Sequence, residues 1–300
     1  MTAPFVVVGE ALVDIVVPPT GETTQAPGGS PMNVAVGLSR LGVPALLLTE
    51  LGDDAHGELV VEHLRSSDVE LAAGSVRGGH RTSTATARLA PDGSARYEFD
   101  LTWELASAAL PEELRGLHVG SLGTALAPGR ESVLALLGEA AGRDVLVTYD
   151  PNVRAGLLPS WHDVARVAAD VDVVKMSDED LELLRPEESV QQVAREVLDN
   201  GRTRLVVVTR GGAGALGFTA EGSAEVIAPR TTVVDTVGAG DSFMAALIAV
   251  LLDWGAPAHL PADRLSALLQ AAAHAAAITV SRRGANPPTR AELPAGWGEG

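Results

Sequence analysis

Three hundred residues at 46% hydrophobic content suffice for one large α/β domain or two smaller ones, and at only 3% aromatic the core must be built from Ala, Val and Leu. A net charge of −17 disfavours a long nucleic-acid contact, which needs many Lys or Arg against phosphates, but leaves a small phosphate ligand open, because local dipoles and a metal can overcome a negative field. The absence of cysteine excludes disulfides and thiolate metal sites, and no uncharged apolar run reaches the ~20 residues that span a bilayer, so a cytoplasmic protein with neither membrane nor nucleic-acid partner is expected.

The first residues carry no basic stretch ahead of an apolar one, so they read as a strand and not as a secretion signal. Phe5 to Val8 is an apolar run ending at Gly9, as in a buried strand. Residues 12–17 alternate, with Leu12, Asp14 and Val16 on one face and Val13, Ile15 and Val17 on the other. Asp14 thus points with an apolar face, either capped by local backbone groups or kept for a polar ligand. Residues 18–30 read as a polar, Pro/Gly-rich loop. Residues 31–41 read as a helix, with Val34, Leu38 and Leu41 spaced i, i+4, i+7 and Gly42 ending it. A strand at 46–48 and a helix at 57–64 follow, and this rhythm points to a mostly parallel sheet.

The rhythm breaks near residue 80. Residues 82–89 are rich in Thr, residues 94–99 hold Tyr97 and Phe99, and Pro91-Asp92-Gly93 between them reads as a turn. Together with 12–17 this hairpin would form a small accessory sheet covering a site; the plainer reading is an edge hairpin with no part in binding. Strands resume at 117–120, 145–149, 171–175, 205–209 and 226–227, with helices such as 132–141 and 190–198 in the gaps. Residues 262–280 form a last helix, Ala-rich around His274, where small residues allow close approach or simply favour the helix. The final dozen residues read as a tail.

The most informative segment is Asp235-Thr236-Val237-Gly238-Ala239-Gly240-Asp241, followed by the apolar run 243–252. A glycine-rich turn at the start of a buried helix lets N–H groups converge on an anion, and Asp241 beside it suits a base for phosphoryl transfer to an alcohol. The bland alternative is a helix cap after an ordinary turn. Gly28-Gly29-Ser30-Pro31-Met32-Asn33 is a second glycine-led helix start, and Asn33 offers donor and acceptor to sugar hydroxyls. Asp150-Pro151-Asn152-Val153-Arg154 follows a strand, where ligands of open α/β sheets gather. Arg154 and Lys175, the sole lysine, suit phosphate; Asp178, Glu179 and Asp180 suit either hydrated magnesium or a helix N-terminus. No Gly-Lys-Ser/Thr occurs, so a Walker-type loop is excluded. Gly212-Ala213-Gly214-Ala215-Leu216-Gly217 has the spacing of a dinucleotide fingerprint, but the short polar stretch after it reads as a hairpin, which leaves a nicotinamide-dependent enzyme as runner-up.

Taken together, the Gly28–Gly42 block, the Asp235–Phe243 block and the stretches 9–14, 150–154 and 175–180 resemble the ribokinase-like, or PfkB, family of carbohydrate kinases over nearly the whole chain, most of all its fructokinase branch. The resemblance implies a single domain, residues 1–300, with a three-layer αβα core, a mostly parallel sheet and a small β-sheet lid at about 12–20 and 80–104. It implies ATP-dependent phosphorylation of a sugar, fructose first, with ribose, 2-keto-3-deoxygluconate or a nucleoside as other acceptors, and a non-catalytic binding regulator as a separate alternative. It implies Asp241 as base and the amides of Gly238, Ala239, Gly240 and Asp241 as anion hole. Asp14, Gly28, Gly29 and Asn33 match the sugar side, joined by Arg154, with Arg96 and Phe99 as lid contacts. Lys175, Thr209, Gly211, Gly212, Gly238, Gly240 and His274 match the nucleotide side. Asp180 and Asp235 match metal positions, with Mg2+ accompanying ATP and K+ required by many members. Lid-to-lid homodimers are common in the family. One departure is that the Asn-x-x-Glu spacing near magnesium carries Ser177 and Asp180.

Overall fold

The structure, a computed structural model, describes residues 3–90, 92, 94–105, 109–153, 159–255 and 259–299. The chain lays down β1 (Phe5–Val8), β2 (Leu12–Val17), β3 (Thr24–Gly28), α1 (Ser30–Arg40), β4 (Ala45–Leu48), β5 (Leu51–Gly52), α2 (Ala55–Ser66), β6 (Glu70–Leu71) and β7 (Val76–Arg77). There follow β8 (Thr84–Leu89), β9 (Ala95–Asp100), β10 (Gly116–Gly120), α3 (Gly129–Ala141), β11 (Leu146–Asp150), α4 (Trp161–Ala168), β12 (Val173–Ser177), α5 (Asp178–Leu184), α6 (Val190–Asp199) and β13 (Leu205–Thr209). A second hairpin, β14 (Ala215–Thr219) and β15 (Gly222–Val226), precedes the long helices α7 (Ala239–Trp254) and α8 (Ala262–Val280).

Nine strands form one sheet in the order β15-β14-β13-β12-β11-β10-β1-β4-β6, parallel except for the β14–β15 hairpin at one edge. Alternation along the strands feeds two cores. Phe5, Val7, Val173, Leu205 and Val207 point to the face covered by α1, α2, α7 and α8. Val6, Val8, Leu117, Val119, Tyr149 and Met176 point to the face covered by α3, α4 and α6. Helix α7 is buried on every side from Asp241 to Leu251, which is what an unbroken apolar run requires of a helix in water. The small second sheet has the order β3-β2-β8-β9; the chain enters it directly from the C-terminal end of β1 and leaves β3 into α1.

Three sequence expectations are corrected. Residues 24–28, read as loop, form edge strand β3 against β2. Thr24, Gln25 and Ala26 are exposed, so no burial imposes a hydrophobic alternation, and Pro27 is tolerated at an edge. Val226 closes an antiparallel strand, and Ile227, 82% exposed, lies outside it. The terminal residues are not a loose tail: Leu293 and Trp297 are buried, Trp297 Nε1 donates to Ala271 O at 2.8 Å, and Trp254 Nε1 donates to Gly298 O at 2.7 Å.

Candidate active site

The site begins with a left-handed turn. Gly238 has φ 75°, and a Cβ there would lie 2.6 Å from the Ala285 Cβ, so both conformation and space demand glycine. Asp235 holds this turn from both sides: Oδ1 accepts Val237 N–H at 3.1 Å and Oδ2 accepts Gly284 N–H at 2.9 Å. The Gly284 and Val237 amides hold its carboxyl below the usual range, the opposite pull of burial notwithstanding. The turn opens α7, whose positive end therefore points at the C-terminal edge of the sheet. The Ala239 N–H is turned back onto Thr236 O at 3.3 Å, which leaves it less available to an anion than expected. The Gly238 and Gly240 amides have no hydrogen-bond partner among the described residues.

Asp241 lies in the first turn of α7 and is 9% exposed. Ser30 Oγ donates to its Oδ1 at 2.6 Å and Asn33 Nδ2 donates to its Oδ2 at 2.8 Å. Both donors come from the start of α1, just after Gly28-Gly29, so the two glycine-led motifs converge on one carboxylate. Ser30 was not singled out in the sequence, although its place between the glycine pair and Asn33 is the signal that marks it. Gly29 has φ 111°, and a Cβ there would lie 2.5 Å from Glu10 O; a Cβ on Gly28 would lie 2.1 Å from Asp14 Oδ2. The glycine pair thus lets the Asp14 carboxylate rest against bare backbone beside α1.

Beneath the turn lies a buried ion pair. Lys175 Nζ is 2.7 Å from Asp150 Oδ2, and a Cβ on Gly240 would be 2.9 Å from that Nζ. Burial pushes the Asp150 carboxyl up to about 6 against the pull of Lys175. Burial also pulls the Lys175 ammonium down, but Asp150, with Asp180 and Asp241 further away, outweighs it and holds the group charged. The sole lysine of the chain thus sits as a fixed cation beneath the Gly238–Asp241 turn.

Asp180 is buried, and both its oxygens are engaged: Oδ1 accepts Val153 N–H at 2.7 Å and Oδ2 accepts Ser177 N–H at 2.8 Å. Ser177 Oγ accepts Asp180 N–H in return, a capping box on α5. This serine and aspartate therefore fasten the chain after β11 to the chain after β12. Asp178 and Glu179 occupy the first turn of α5, where acids are favoured by the dipole alone.

On the next strand, Thr209 Oγ1 approaches Met176 O at 3.4 Å. Gly211 and Gly212 form a 3₁₀ turn facing open space, and a hairpin follows, not a helix. This removes the dinucleotide fingerprint at 212–217. His274 is half-buried on α8, its Nδ1 2.8 Å from Gln270 O. Strand pairing puts Asp14, Ala85 and Phe99 on one face of the small sheet, and Arg88 and Arg96 on the other. Phe99 therefore shares a side with Asp14 and Arg96 does not. Arg154 lies outside the described residues. A groove of about 740 Å³ lined by Arg195, Arg204 and Phe218 lies at the opposite end of the sheet and contains none of these groups.

The pattern of the pfkB family of carbohydrate kinases matches residues 3–292. A fructokinase of Rhizobium leguminosarum bv. trifolii is 37% identical over 259 residues, covering 81% of this chain and 78% of its own. The crystal structure of a fructokinase with bound ATP from Xylella fastidiosa superposes with a TM-score of 0.82 at 23% identity, over 98% of this chain and 96% of that one, which speaks to the fold. A fructokinase from Vibrio cholerae O395 in fructose, ADP and calcium ion bound form has a TM-score of 0.80 at 26% identity, over 95% of this chain and 94% of that one. With a glycine-led carboxylate at a helix N-terminus, a ribokinase-like αβα architecture and a sequence match along almost its full length, the chain belongs to the pfkB family of carbohydrate kinases.

Proposed function

We propose that this sugar kinase transfers the γ-phosphoryl group of ATP to a hydroxyl of fructose, with Asp241 as general base. The observation that carries the reading is the convergence of Ser30 and Asn33 on Asp241 at the mouth of the α7 turn. In the step, a sugar hydroxyl gives its proton to an Asp241 oxygen, its oxygen bonds to the γ-phosphorus, and the bond from that phosphorus to the bridging oxygen of ADP breaks. The Gly238 and Gly240 amides and Lys175 face the transferring group, where charge is stabilised without reorganisation. Asp14, Gly28, Gly29 and Asn33 hold the sugar and Phe99 covers it, with Arg154 assigned to the sugar side by its place in the family pattern. Thr209, Gly211, Gly212 and His274 flank the nucleotide. Fructose as acceptor rests on the fructokinases among the relatives.

The acids nearest the turn bear on magnesium. Asp150 is paired with Lys175, Asp241 with Ser30 and Asn33, and Asp180 with two amides. That donor set fits a hydrated Mg2+ brought in on ATP, met through water by Asp150 and Asp180, better than an all-protein cage. The ion would neutralise phosphate charge there. Asp235, with lone pairs beyond its two amide bonds, is the place for a K+ effect. The small sheet acts as a lid on one domain, and the exposed, stacked Tyr97 and Phe99 support a homodimer through it, which sedimentation would test. ATP as substrate fits the cytoplasm. The deciding experiment is ADP release with ATP and Mg2+ against a panel of sugars and nucleosides, with and without K+. Fructose should give the highest kcat/KM, and turnover of another acceptor in its place would reassign the substrate.

A further inference from the structure

Four segments join the small sheet to the core: 9–12, 28–30, 81–84 and 100–105. The first two border Asp14 and the glycine pair. The other two flank the β8–β9 hairpin, and each is held by an acid from the connection between β4 and α2. Asp54 caps α2 through Gly57 N–H and also accepts Thr82 N–H at 2.9 Å and Thr82 Oγ1 at 2.7 Å. Glu50 meets the other limb, with its side chain only 1% exposed. Its Oε2 accepts Glu104 N–H at 2.5 Å and Leu105 N–H at 3.2 Å. Its Oε1 accepts Arg77 Nη1 at 2.9 Å and lies 3.3 Å from His80 Nδ1. Leu105 has φ +46°, a conformation leucine avoids, so the surrounding bonds must hold it there. The two limbs are stitched together where Ser83 Oγ donates to Thr102 O at 3.1 Å and accepts Thr102 N–H at 3.0 Å.

We infer that Glu50 is a positioning residue for the kinase reaction, holding the descending limb of the lid hairpin so that Phe99 stays over the sugar. The inference rests on the reading above that this sheet covers a sugar. Glu50, His80 and Glu104 bring three ligand-type atoms within 4.8 Å of one another, but Arg77 pairs with both carboxylates, so a guanidinium already supplies the cation. The cluster is a joint, not a metal centre. Charge-assisted bonds donated by two successive amides to a buried carboxylate are the strong kind, and a residue five positions before Glu104 inherits their register.

The test compares wild type with Glu50→Ala and Glu50→Gln. Glu50→Ala should raise the sugar KM roughly tenfold, leave the ATP KM within about twofold, and increase ATP hydrolysis without sugar, because a loosened lid admits water. Hydrogen exchange of the Glu104 and Leu105 amides should accelerate about tenfold. Glu50→Gln keeps one amide acceptor and should recover part of each change. If the Ala variant does not fold, the Gln variant carries both readouts. Unchanged exchange at 104–105 overturns the clamp, and faster exchange with an unchanged sugar KM overturns its link to the pocket. A wild-type protein inactive on every sugar overturns the kinase reading, while the exchange rates still decide whether Glu50 holds the limb.

Discussion

Asn33 and Asp241 are 208 positions apart in sequence and joined by a 2.8 Å hydrogen bond. The contact brings together the start of α1 and the start of α7, and with them the two glycine-led motifs. Ser30 completes the pair on the other carboxylate oxygen. On the proposed reading of Asp241 as base, holding both its oxygens sets the reactive direction before substrate arrives.

Asp241→Asn should lower kcat at least ~100-fold with a smaller change in KM, because a positioned base contributes about 10²–10⁴-fold. Ser30→Ala, which removes one orienting donor and keeps the base, should cost roughly tenfold. Steady-state kinetics on the preferred sugar decide both; an unchanged kcat in Asp241→Asn removes that residue from the chemistry.

Lys175→Met should both abolish phosphate stabilisation and destabilise the fold, because it strands Asp150 unpaired in the core; breaking such a pair typically costs about 3–5 kcal/mol. The double variant with Asp150→Asn should regain most of the melting temperature and none of the activity. Recovery of activity by the double variant would place the lysine's role in packing alone.

Gly238→Ala forces a left-handed residue with a Cβ into the space of Ala285, 2.6 Å away. The conformation alone costs about 1–2 kcal/mol. Adding Ala285→Gly should return only the steric part, which chemical denaturation of the single and double variants can separate.

His118 sits on β10 with no solvent exposure, its Nδ1 2.9 Å from Thr148 Oγ1, and burial, helped by the charge of Lys175, lowers its pKa to about 3. A histidine lowered in the fold binds fewer protons than in the unfolded chain, so its contribution is present above about 6.5 and is lost as pH falls towards 3. The loss is about 1.4 kcal/mol per pH unit across that window. Urea melts at pH 7.5 and 5 should show it, and His118→Gln should flatten the dependence.

The sequence made the site's geometry legible where one residue type serves one purpose. The glycine-rich turn before Asp241 marks a helix start, the apolar run after it marks a buried helix, and the stretch after Gly217 is too polar and short to open a dinucleotide helix. Edge strand β3 was hidden because an exposed strand needs no alternation, and the terminal segment was hidden because Leu293 and Trp297 are two anchors among Gly, Pro and Ala. Arg96 and Phe99, three apart on one strand, face opposite ways in any register; which of them shares the face of Asp14 depends on the hairpin register, which a one-residue shift reverses. The commitment of Asp180 to Val153 is a long-range contact, and nothing local in 177–180 announces it.

The chain's one lysine lies in its interior, with 6% of its side chain exposed. Amine-directed dyes, cross-linkers and coupling resins thus find no lysine ε-amine on the folded surface. Trypsin finds no external lysyl bond. Acylation of an ε-amine, a common way of tuning metabolic enzymes, has no superficial target here, and any adduct found at Lys175 would report an opened molecule.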